Sequence, residues 1–428
     1  MRRPLALGRL LTAALLLTLL PATGHATNQN CAWLFRLDPI VFNSAYPDEF
    51  ANYWTLALPS VPGESLTIKG RYPHGRYMSF MSYNAALQAI DGLNDQRITA
   101  DGGSINPFIE GNSRTDGNRN YTVTVQTGAR GAASNTLYTD AMAPYFIVTY
   151  RVFRWDEGLD ITGGVGLPSV TLNLPGGQSV GVPECTSADL PPNDLNKRFA
   201  EAGGSGSNGS QYPGENPPRW HKFYNTPTGY LYGLSEQERL SPTGLDDAIP
   251  SALSPYTMSL VPPGGFLNNL DNNYISAVTS SGHGPLLILR AKLPTTPQTW
   301  RSSPVMESGE LRYWSLCTNE PVSQRYYACL PDDQVKLDDG GYFTIVVSTL
   351  ANRPAAFGAD GNGCVAANWL PAGPLSTLLI IRNMLPQPTF SYSIQNAGYG
   401  TEATNMGEYF PRGPDGTVGG QYAATFGC

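Results

Sequence analysis

The chain contains short segments that recur in the same order, and this repeat constrains its fold more than any other feature. DQRITADGG (95–103) returns as DQVKLDDGG (333–341). NYWTLALPSVPGESLTIKGRYP (52–73) aligns without a gap with NYISAVTSSGHGPLLILRAKLP (273–294). We interpret the shared DQ-x4-DGG element as a structural turn, because Asp-Gly-Gly suits a tight turn in which glycine adopts a positive φ. A ligand site used twice is the alternative.

Three further pairs of segments keep the same order along the chain. They are GRYMSF and LRYWSL (75–80 and 311–316), YTVTV and FTIVV (121–125 and 343–347), and PYFIVTYRVFR and STLLIIRNMLP (144–154 and 376–386). Five ordered pairs indicate two related domains. We predict a first domain at 27–202 and a second at 219–428, joined by the Gly/Ser/Pro-rich linker GGSGSNGSQYPGENPP at 203–218.

The recurring segments are typical of β-strands. They alternate β-branched or aromatic residues with polar residues and are separated by turn residues. The chain has 46 Gly and 36 Pro, and 14% of its residues are charged, which suits a loop-rich β-protein better than a helical one. We predict an all-β protein of two duplicated β-sandwich or jelly-roll-like domains with few short helices, the best candidates being 193–203 and 235–240.

The first 26 residues, MRRPLALGRLLTAALLLTLLPATGHA, have the composition of a secretory signal peptide. A basic start and an apolar run precede Gly24-His25-Ala26, which predicts cleavage after Ala26 and a secreted, extracellular or periplasmic protein. No other stretch approaches the ~18 apolar residues of a membrane span. Removing the segment leaves 24 basic and 34 acidic residues, a net charge of −10, which disfavours nucleic acid as a partner because nucleic-acid binding requires basic patches.

All six cysteines lie beyond the predicted signal peptide, and their even number favours disulfide bonds over a metal site. No CxxC or CxxH pair supports zinc. Six cysteines allow fifteen pairings. We predict Cys317–Cys329 as a local clip, Cys31–Cys185 closing the first half, and Cys364–Cys428 tying down the C-terminus.

The second half carries a set of motifs with a family resemblance: Arg312-Tyr313-Trp314-Ser315, Asp339-Gly340-Gly341, Asn368-Trp369-Leu370-Pro371-Ala372 and Arg382. This arrangement resembles the bacterial domain-of-unknown-function family numbered 1214, which often accompanies a second such family, numbered 1254. GGVGLPSVTL (163–172) in the first half also looks similar. The family usually has Leu-Tyr after its closing arginine, where this chain has Asn383-Met384. The resemblance implies a β-rich sandwich fold and, as the family's name states, no established activity.

Seven residues are candidates for ligand binding: His74, Arg76, Tyr77, Trp220, His221, Arg312 and Trp314. Arg76 and Arg312 recur at strand ends, as do Arg151 and Arg382. Such an arginine could hold a carboxylate or phosphate bidentately, although a repeated arginine more often closes an internal ion pair. Tyrosine and tryptophan rings, including Tyr409, could stack on sugars, although alternating aromatic residues on strands more often belong to a core.

Three histidines remain after signal-peptide removal: His74, His221 and His283. No two of them have HxH or HExxH spacing, so a shared zinc site or a role as base depends on the fold bringing them together. Ordinary loop histidines are the simpler interpretation. No cofactor is predicted, although the segments 114–120, 268–273 and 359–363 are rich in Asp, Asn and Gly. They offer oxygen ligands for structural calcium without matching a complete calcium loop.

The sequence gives little support for covalent catalysis. It lacks a G-x-S-x-G elbow, and its cysteines are expected to be paired. Six acids near strand ends could supply two carboxylates for glycoside hydrolysis, but nothing selects a pair among Asp91, Asp95, Asp101, Glu320, Asp339 and Glu408. These features favour a secreted binding or cell-envelope-associated module with glycans as ligands. The alternative is an extracellular polysaccharide hydrolase with its site between the two domains.

Overall fold

A computed structural model describes residues 31–37, 43, 46–85, 87–140, 144–185, 214–223, 267–321, 325–358, 361–398 and 400–428. The predicted signal peptide, both predicted helices and most of the predicted linker lie outside these residues. Strands dominate the described ranges, and the predicted all-β class is confirmed. Those ranges hold one α-helix, α1 (Glu402–Met406), and six 3₁₀ helices: Ser281–His283, Asp332–Gln334, Leu350–Asn352, Ala355–Phe357, Ile394–Asn396 and Gly407–Tyr409.

The first half forms two five-stranded sheets. Its strands are β1 (Phe35–Leu37), β2 (Ala51–Pro59), β3 (Ser65–Arg71), β4 (Gly75–Tyr83), β5 (Ala89–Asn94), β6 (Asn120–Thr127), β7 (Thr136–Thr139), β8 (Tyr145–Trp155), β9 (Ser169–Asn173) and β10 (Ser179–Val182). Sheet I has the order β1-β2-β8-β4-β5 and sheet II the order β10-β9-β3-β6-β7. The pair β6–β7 is parallel, whereas the other neighbours are antiparallel.

The second half forms one five-stranded and one four-stranded sheet. Its strands are β11 (His221–Phe223), β12 (Asn272–Ser280), β13 (Leu286–Lys292), β14 (Tyr313–Asn319), β15 (Tyr326–Pro331), β16 (Tyr342–Ser348), β17 (Asn368–Pro371), β18 (Ser376–Met384) and β19 (Gln421–Ala423). Sheet III has the order β11-β12-β18-β14-β15 and sheet IV the order β17-β16-β13-β19. Here β16–β17 is the parallel pair.

The two halves share their strand order. Sheets I and III match strand for strand, and sheet IV matches sheet II without β10. The register of the strand pairs matches as well. In sheet I, Arg151 lies opposite Tyr53 and Ser79. In sheet III, Arg382 lies opposite Tyr274 and Ser315. The gapless alignment of 144–154 with 376–386 sets Arg151 against Asn383, one residue away from this register. The duplication and its domain boundaries stay a prediction, which the shared register supports.

Each half has a core between its two sheets. Alternate residues of β8 (Phe146, Val148, Tyr150 and Val152) point into the first core, where they meet residues of sheet II such as Ile68 and Val123. Leu379 and Ile381 of β18 do the same in the second core. This alternation follows from the two-residue period of a strand, so the opposite faces of sheets I and III are left to be covered by something else.

Those opposite faces of sheets I and III cover each other. Tyr77, Phe153, Tyr313, Met384 and Ala51 form a buried cluster between the halves. The ring centroids of Phe153 and Tyr313 lie 5.6 Å apart in an edge-to-face arrangement, a favoured geometry for aromatic pairs. The interface is therefore apolar at this cluster.

Segments from the second half also reach into the first. Met306, in the connection between β13 and β14, packs in the core of the first half. Its amide donates to the Asn112 carbonyl at 3.0 Å, and its carbonyl accepts from the Gly111 amide at 2.9 Å. The core of the first half is therefore completed by a residue that lies almost 200 positions further along the chain than Asn112.

All three predicted disulfide pairings are present. Cys31 bonds to Cys185, Cys317 to Cys329 and Cys364 to Cys428. The Cys317–Cys329 bond links β14 to β15 at directly paired positions. The described residues contain no free cysteine.

Candidate functional site

Arg76 and Arg312 lie buried where the halves meet, and each pairs with an acid of the opposite half. Arg76 Nη1 donates to Asp332 at 2.8 Å, and Arg312 Nη1 lies 3.3 Å from Asp95. Arg76 and Asp95 belong to the first half, while Arg312 and Asp332 belong to the second. Both arginines therefore close internal ion pairs across the interface and are 6% exposed or less.

Asp95 and Asp332 hold equivalent positions in this arrangement. Asp95 accepts a hydrogen bond from the Met78 amide at 2.8 Å, and Asp332 accepts one from the equivalent Trp314 amide at 2.9 Å. Burial raises the pKa of Asp95 to about 7, although Arg312 and the Met78 amide act in the opposite direction. Burial also raises the pKa of Asp332, against the effect of Arg76. These carboxyl groups are engaged in holding the halves together.

A third arginine strengthens the same interface. Arg154 binds both oxygens of Asp333 at 2.7 Å, and its guanidinium lies 3.7 Å from the ring centroid of Trp300. Arg154 belongs to the first half, whereas Asp333 and Trp300 belong to the second. The bidentate contact and the stacked ring together fix its geometry.

The three histidines lie in different surroundings. His74 is half-buried beside Arg119, and burial followed by the charge of Arg119 lowers its pKa to about 4. His221 on β11 also has its pKa lowered to about 4, by burial and then by Arg219. His283 is exposed. Across the described ranges, the one group of metal-ligand residue types brought together is Asp48 with Cys317 and Cys329, and these cysteines are disulfide-bonded.

The aromatic binding candidates are interior residues. The Tyr77 hydroxyl donates to Asp271 across the interface at 2.7 Å. Trp314 packs in the core of the second half, and Trp220 donates from Nε1 to the Gly419 carbonyl at 2.9 Å. All three are 4% exposed or less, so in this conformation they offer no open ring face to a sugar.

The remaining acids are divided between turns, a pocket and the surface. Asp101 accepts from the Thr122 hydroxyl at 3.1 Å, and Asp339 is exposed beside a turn. Asp91 is buried at a pocket of about 360 Å³, described below. In the proposed calcium segments, Asp116 accepts from the Asn118 amide at 2.8 Å, and Asp271 binds Tyr77. Residues 359–360 lie outside the described ranges.

An exposed aromatic and acidic surface lies on the second half, and we call it the Tyr392 patch. It consists of Glu310, Tyr342, Tyr392, Glu408 and Lys292 around the buried Tyr409. The Tyr392 side chain is 46% exposed, and its ring stacks on that of Tyr409 with centroids 5.6 Å apart and planes 30° apart. Phe390 supports Tyr409 from the side, with an edge-to-face contact at 5.0 Å. The stack holds the Tyr392 ring in place while nearly half of the residue stays exposed.

Glu310, Glu408 and Lys292 frame these rings. Glu310 accepts from the Tyr409 hydroxyl at 3.1 Å. Glu408 accepts from the Tyr342 hydroxyl at 2.6 Å and pairs with Lys292 at 2.9 Å. The Tyr342 and Lys292 contacts lower the pKa of Glu408, so this carboxylate is ionised at neutral pH. Its side chain is 41% exposed and can still accept hydrogen bonds from a ligand.

The local sequence accounts for the position of the patch. Lys292 ends β13 and Tyr342 begins β16, and these two residues are directly paired in sheet IV. Glu408 and Tyr409 lie in the 3₁₀ helix that follows α1, and they reach the same place through the turn at Gly407, whose φ is +56°. Only Glu408 and Tyr409 were candidates from the sequence. The sequence signal that could have identified Tyr392 is the aromatic-polar-aromatic segment Phe390-Ser391-Tyr392.

Comparisons with known proteins identify no family for this chain. No family model and no curated protein match it. A solved structure of an uncharacterized protein from Burkholderia cenocepacia is similar, with a TM-score of 0.45 and 11% identity over 85% of this chain and 82% of that one. The VPA0106 protein from Vibrio parahaemolyticus has a TM-score of 0.40 and 13% identity over 86% of this chain and 89% of its own. Neither likeness carries an argument about function.

Proposed function

We propose that the protein is a secreted glycan-binding module and that the Tyr392 patch is its binding surface. The observation that carries the proposal is the exposed Tyr392 ring, held against Tyr409 and framed by two carboxylates and an ammonium group. A supported ring that faces solvent is suited to pack against the C–H face of a sugar. The neighbouring carboxylates can accept hydrogen bonds from sugar hydroxyls, and Lys292 can donate them.

The charge of the patch favours a neutral sugar over an acidic one. The formal charges of Glu310, Glu408 and Lys292 sum to −1, so a uronic acid would be repelled. The hydrolase alternative has less support from the geometry. The acids between the halves, Asp95, Asp332 and Asp333, are paired with arginines, and the cavity of about 60 Å³ beside Arg312 is far smaller than an ordinary ligand pocket.

Export is part of the proposal. Three disulfide bonds are compatible with an oxidising extracellular compartment. The described helices are all too short to cross a membrane. The predicted signal peptide is tested separately, by N-terminal sequencing of the mature protein, which we expect to begin at Thr27.

The proposal predicts that Tyr392→Ala weakens glycan binding. Neutral oligosaccharides would be titrated into the purified protein by calorimetry, after a glycan array has selected the best ligand. We expect affinity to fall about tenfold, which corresponds to roughly 1.4 kcal/mol of lost ring contact. Tyr327→Ala is the matched control, because Tyr327 is a 37%-exposed tyrosine on β15 outside the patch.

Three outcomes would contradict the proposal. One is the absence of any glycan ligand on the array and in titration. Another is a Tyr392→Ala variant that binds as tightly as the wild type while circular dichroism shows an unchanged fold. Equal losses in Tyr392→Ala and Tyr327→Ala would place the binding surface elsewhere.

A further inference from the structure

The pocket of about 360 Å³ lies in the first half, where β5 approaches β7, and it is separate from the Tyr392 patch. Its volume falls within the ~300–1,000 Å³ of ordinary small-molecule sites. It is lined by Ile90, Asp91, Gly128, Ala129, Arg130, Tyr138, Thr139 and Asp140. The lining therefore combines acidic, basic, hydroxyl and apolar groups.

Asp91 supplies a buried carboxylate to this pocket. Its side chain is 2% exposed. Oδ1 accepts from the Gly92 amide at 2.9 Å, and Oδ2 accepts from the Tyr138 amide at 3.1 Å, so backbone donors fix its orientation. A buried carboxylate is stabilised further by a positive partner. In the described part of the chain its one ion-pair partner is Arg130, whose Nε lies 3.4 Å from Oδ1.

Arg130 is a weakly held partner for such a buried group. Its side chain is 58% exposed, and its contact with Asp91 is an ion pair at long distance without hydrogen-bond geometry. An ion pair with one exposed, water-screened partner at this distance contributes less than a fully buried pair, because the exposed side chain also loses rotamer freedom. Arg130 can therefore leave Asp91 at small cost when another cation arrives.

Thr139 provides an independent indication of a ligand. It lines the pocket, is fully buried, and its hydroxyl has no hydrogen-bond partner. Buried hydroxyl groups normally have partners, and one without a partner requires an explanation. A hydroxyl oxygen is a suitable acceptor for an ammonium group.

The rim of the pocket fits the rest of such a ligand. Asp140 is exposed at the rim and adds a second carboxylate to the lining, which favours a cationic ligand. Ile90 is 40% exposed and offers an apolar contact to the carbon atoms next to a charged nitrogen.

We propose that this pocket binds a primary ammonium group, with Asp91 as its counter-ion and Arg130 occupying the position of the ligand when the pocket is empty. The ammonium group can belong to an amino sugar or to a lysine side chain. The proposal does not depend on glycan binding at the Tyr392 patch.

The test is a titration of the full-length mature protein with three probes, followed by NMR or calorimetry at neutral pH and low salt. Glucosamine and Nα-acetyl-lysine amide carry a primary ammonium group, whereas N-acetylglucosamine is the neutral control. We expect Arg130→Ala to bind the ammonium probes about fivefold more tightly than the wild type, because it removes a competing intramolecular cation. Arg219→Ala is the matched control, since Arg219 is 55% exposed and its loss changes the net charge equally.

Asp91→Asn should abolish ammonium binding, but Asp91 accepts two backbone hydrogen bonds and this variant can fail to fold. Asp140→Asn is the second acidic variant, because Asp140 is exposed, and we expect it to weaken binding about threefold. Binding by glucosamine alone would identify an amino sugar as the ligand, and binding by the lysine derivative alone would identify a protein side chain. Either result supports the pocket.

Three outcomes would overturn the proposal. Weaker binding by Arg130→Ala would show that Arg130 contacts the ligand itself. Equal binding of N-acetylglucosamine and glucosamine would show that the ammonium group is not recognised. Absence of binding by both ammonium probes to both the wild type and Arg130→Ala would show that the pocket does not bind this class of ligand.

Discussion

Arg151 and Arg382 occupy equivalent places on sheets I and III, but among the described residues only Arg382 forms an ion pair with a carboxylate. Arg382 Nη1 lies 3.6 Å from Asp48, which also accepts from the hydroxyl groups of Tyr313 and Ser315. Asn269 holds the place near Arg151 that Asp48 holds near Arg382. Asp48 lies five positions before Tyr53 in the first half, and Asn269 lies five positions before the equivalent Tyr274 in the second half. Asn269 Oδ1 lies 3.2 Å from the Tyr77 hydroxyl, which donates to Asp271 at 2.7 Å, whereas Asp48 accepts from Tyr313 at 3.0 Å.

The neutral amide leaves Arg151 without a carboxylate in direct contact. Arg151 is 1% exposed, and its Nε and Nη1 have no hydrogen-bond partner. Asp271 acts on it electrostatically, but no ion pair joins the two among the described residues. Its Nη2 donates to the Leu267 carbonyl at 2.7 Å and to the Tyr83 hydroxyl. The rings of Tyr53 and Tyr83 lie 5.5 and 5.6 Å from its guanidinium and offset part of the cost through cation–π attraction.

This asymmetry predicts opposite effects for two matched substitutions. Asp48→Asn removes the partner of a buried arginine and should lower the free energy of unfolding by about 3 kcal/mol. Asn269→Asp supplies the missing partner and should raise it by a smaller amount, because Asp271 lies nearby and repels the new charge. Both would be measured by denaturant unfolding at neutral pH. A destabilised Asn269→Asp variant would show that Arg151 does not need a counter-charge.

The roles of side chains that occur once were harder to predict from the sequence than the roles of side chains that recur in both halves. The repetition of Arg76 and Arg312 marked them as structural or ligand-binding residues, and an internal ion pair was the more common alternative. Their partners, Asp332 and Asp95, could not be assigned, because each lies in the opposite half and only the fold brings the pair together. Arg130 and Thr139 carry no sequence signal, since their importance comes from the pocket around them.

Strands rich in β-branched and aromatic residues were predicted well. Eight strands coincide with such segments bounded by turn residues: β3, β4, β6, β8, β13, β14, β16 and β18. Short edge strands such as β1, β10 and β11 have three or four residues, too few for a periodic pattern to appear. The sequence also does not predict that the β13–β14 connection packs against the first half. Only one apolar residue of this connection, Met306, enters that core, and a single residue forms no recognisable pattern.

The two DQ-x4-DGG elements both form turns, although they differ in detail. In the first, the Ser104 amide donates to the Asp101 carbonyl, and in the second the Gly341 amide donates to the Asp338 carbonyl. The position equivalent to Asp95 is Asp332 rather than Asp333, because Asp332 accepts from the Trp314 amide. The second element is thus shifted by one residue relative to the gapless alignment, and the closing glycine takes a different place in the turn.

The first turn gives a direct test of backbone strain. Gly103 has a φ of +79°, and a methyl group added there would meet no atom within 4 Å. Gly103→Ala should therefore lower the free energy of unfolding by about 1 kcal/mol through conformation alone. Gly102→Ala is the matched control, because Gly102 is equally open and lies outside the left-handed region. Equal effects of the two substitutions in chemical denaturation would contradict this explanation.

The two halves are joined by more than the chain that connects them. Buried ion pairs run in both directions across the interface, the apolar cluster around Phe153 and Tyr313 lies between the sheets, and Met306 completes the opposite core. A repeat in the sequence predicts two similar units, but it does not show how they pack. The packing depends on the second face of sheets I and III, whose residues resemble ordinary strand residues in sequence.

This shared interface predicts that the two halves unfold together. Met306→Ala and Leu316→Ala each truncate a buried side chain, the first in the core of the first half and the second in the core of the second half. Each substitution should cost about 2–5 kcal/mol. Because the halves depend on each other, differential scanning calorimetry should show one transition that both variants shift to lower temperature. Independent halves would instead give two transitions, and each variant would move only one of them. Met306→Ala gives the stricter test of joint unfolding, because Met306 belongs to the second half in sequence but packs in the core of the first half.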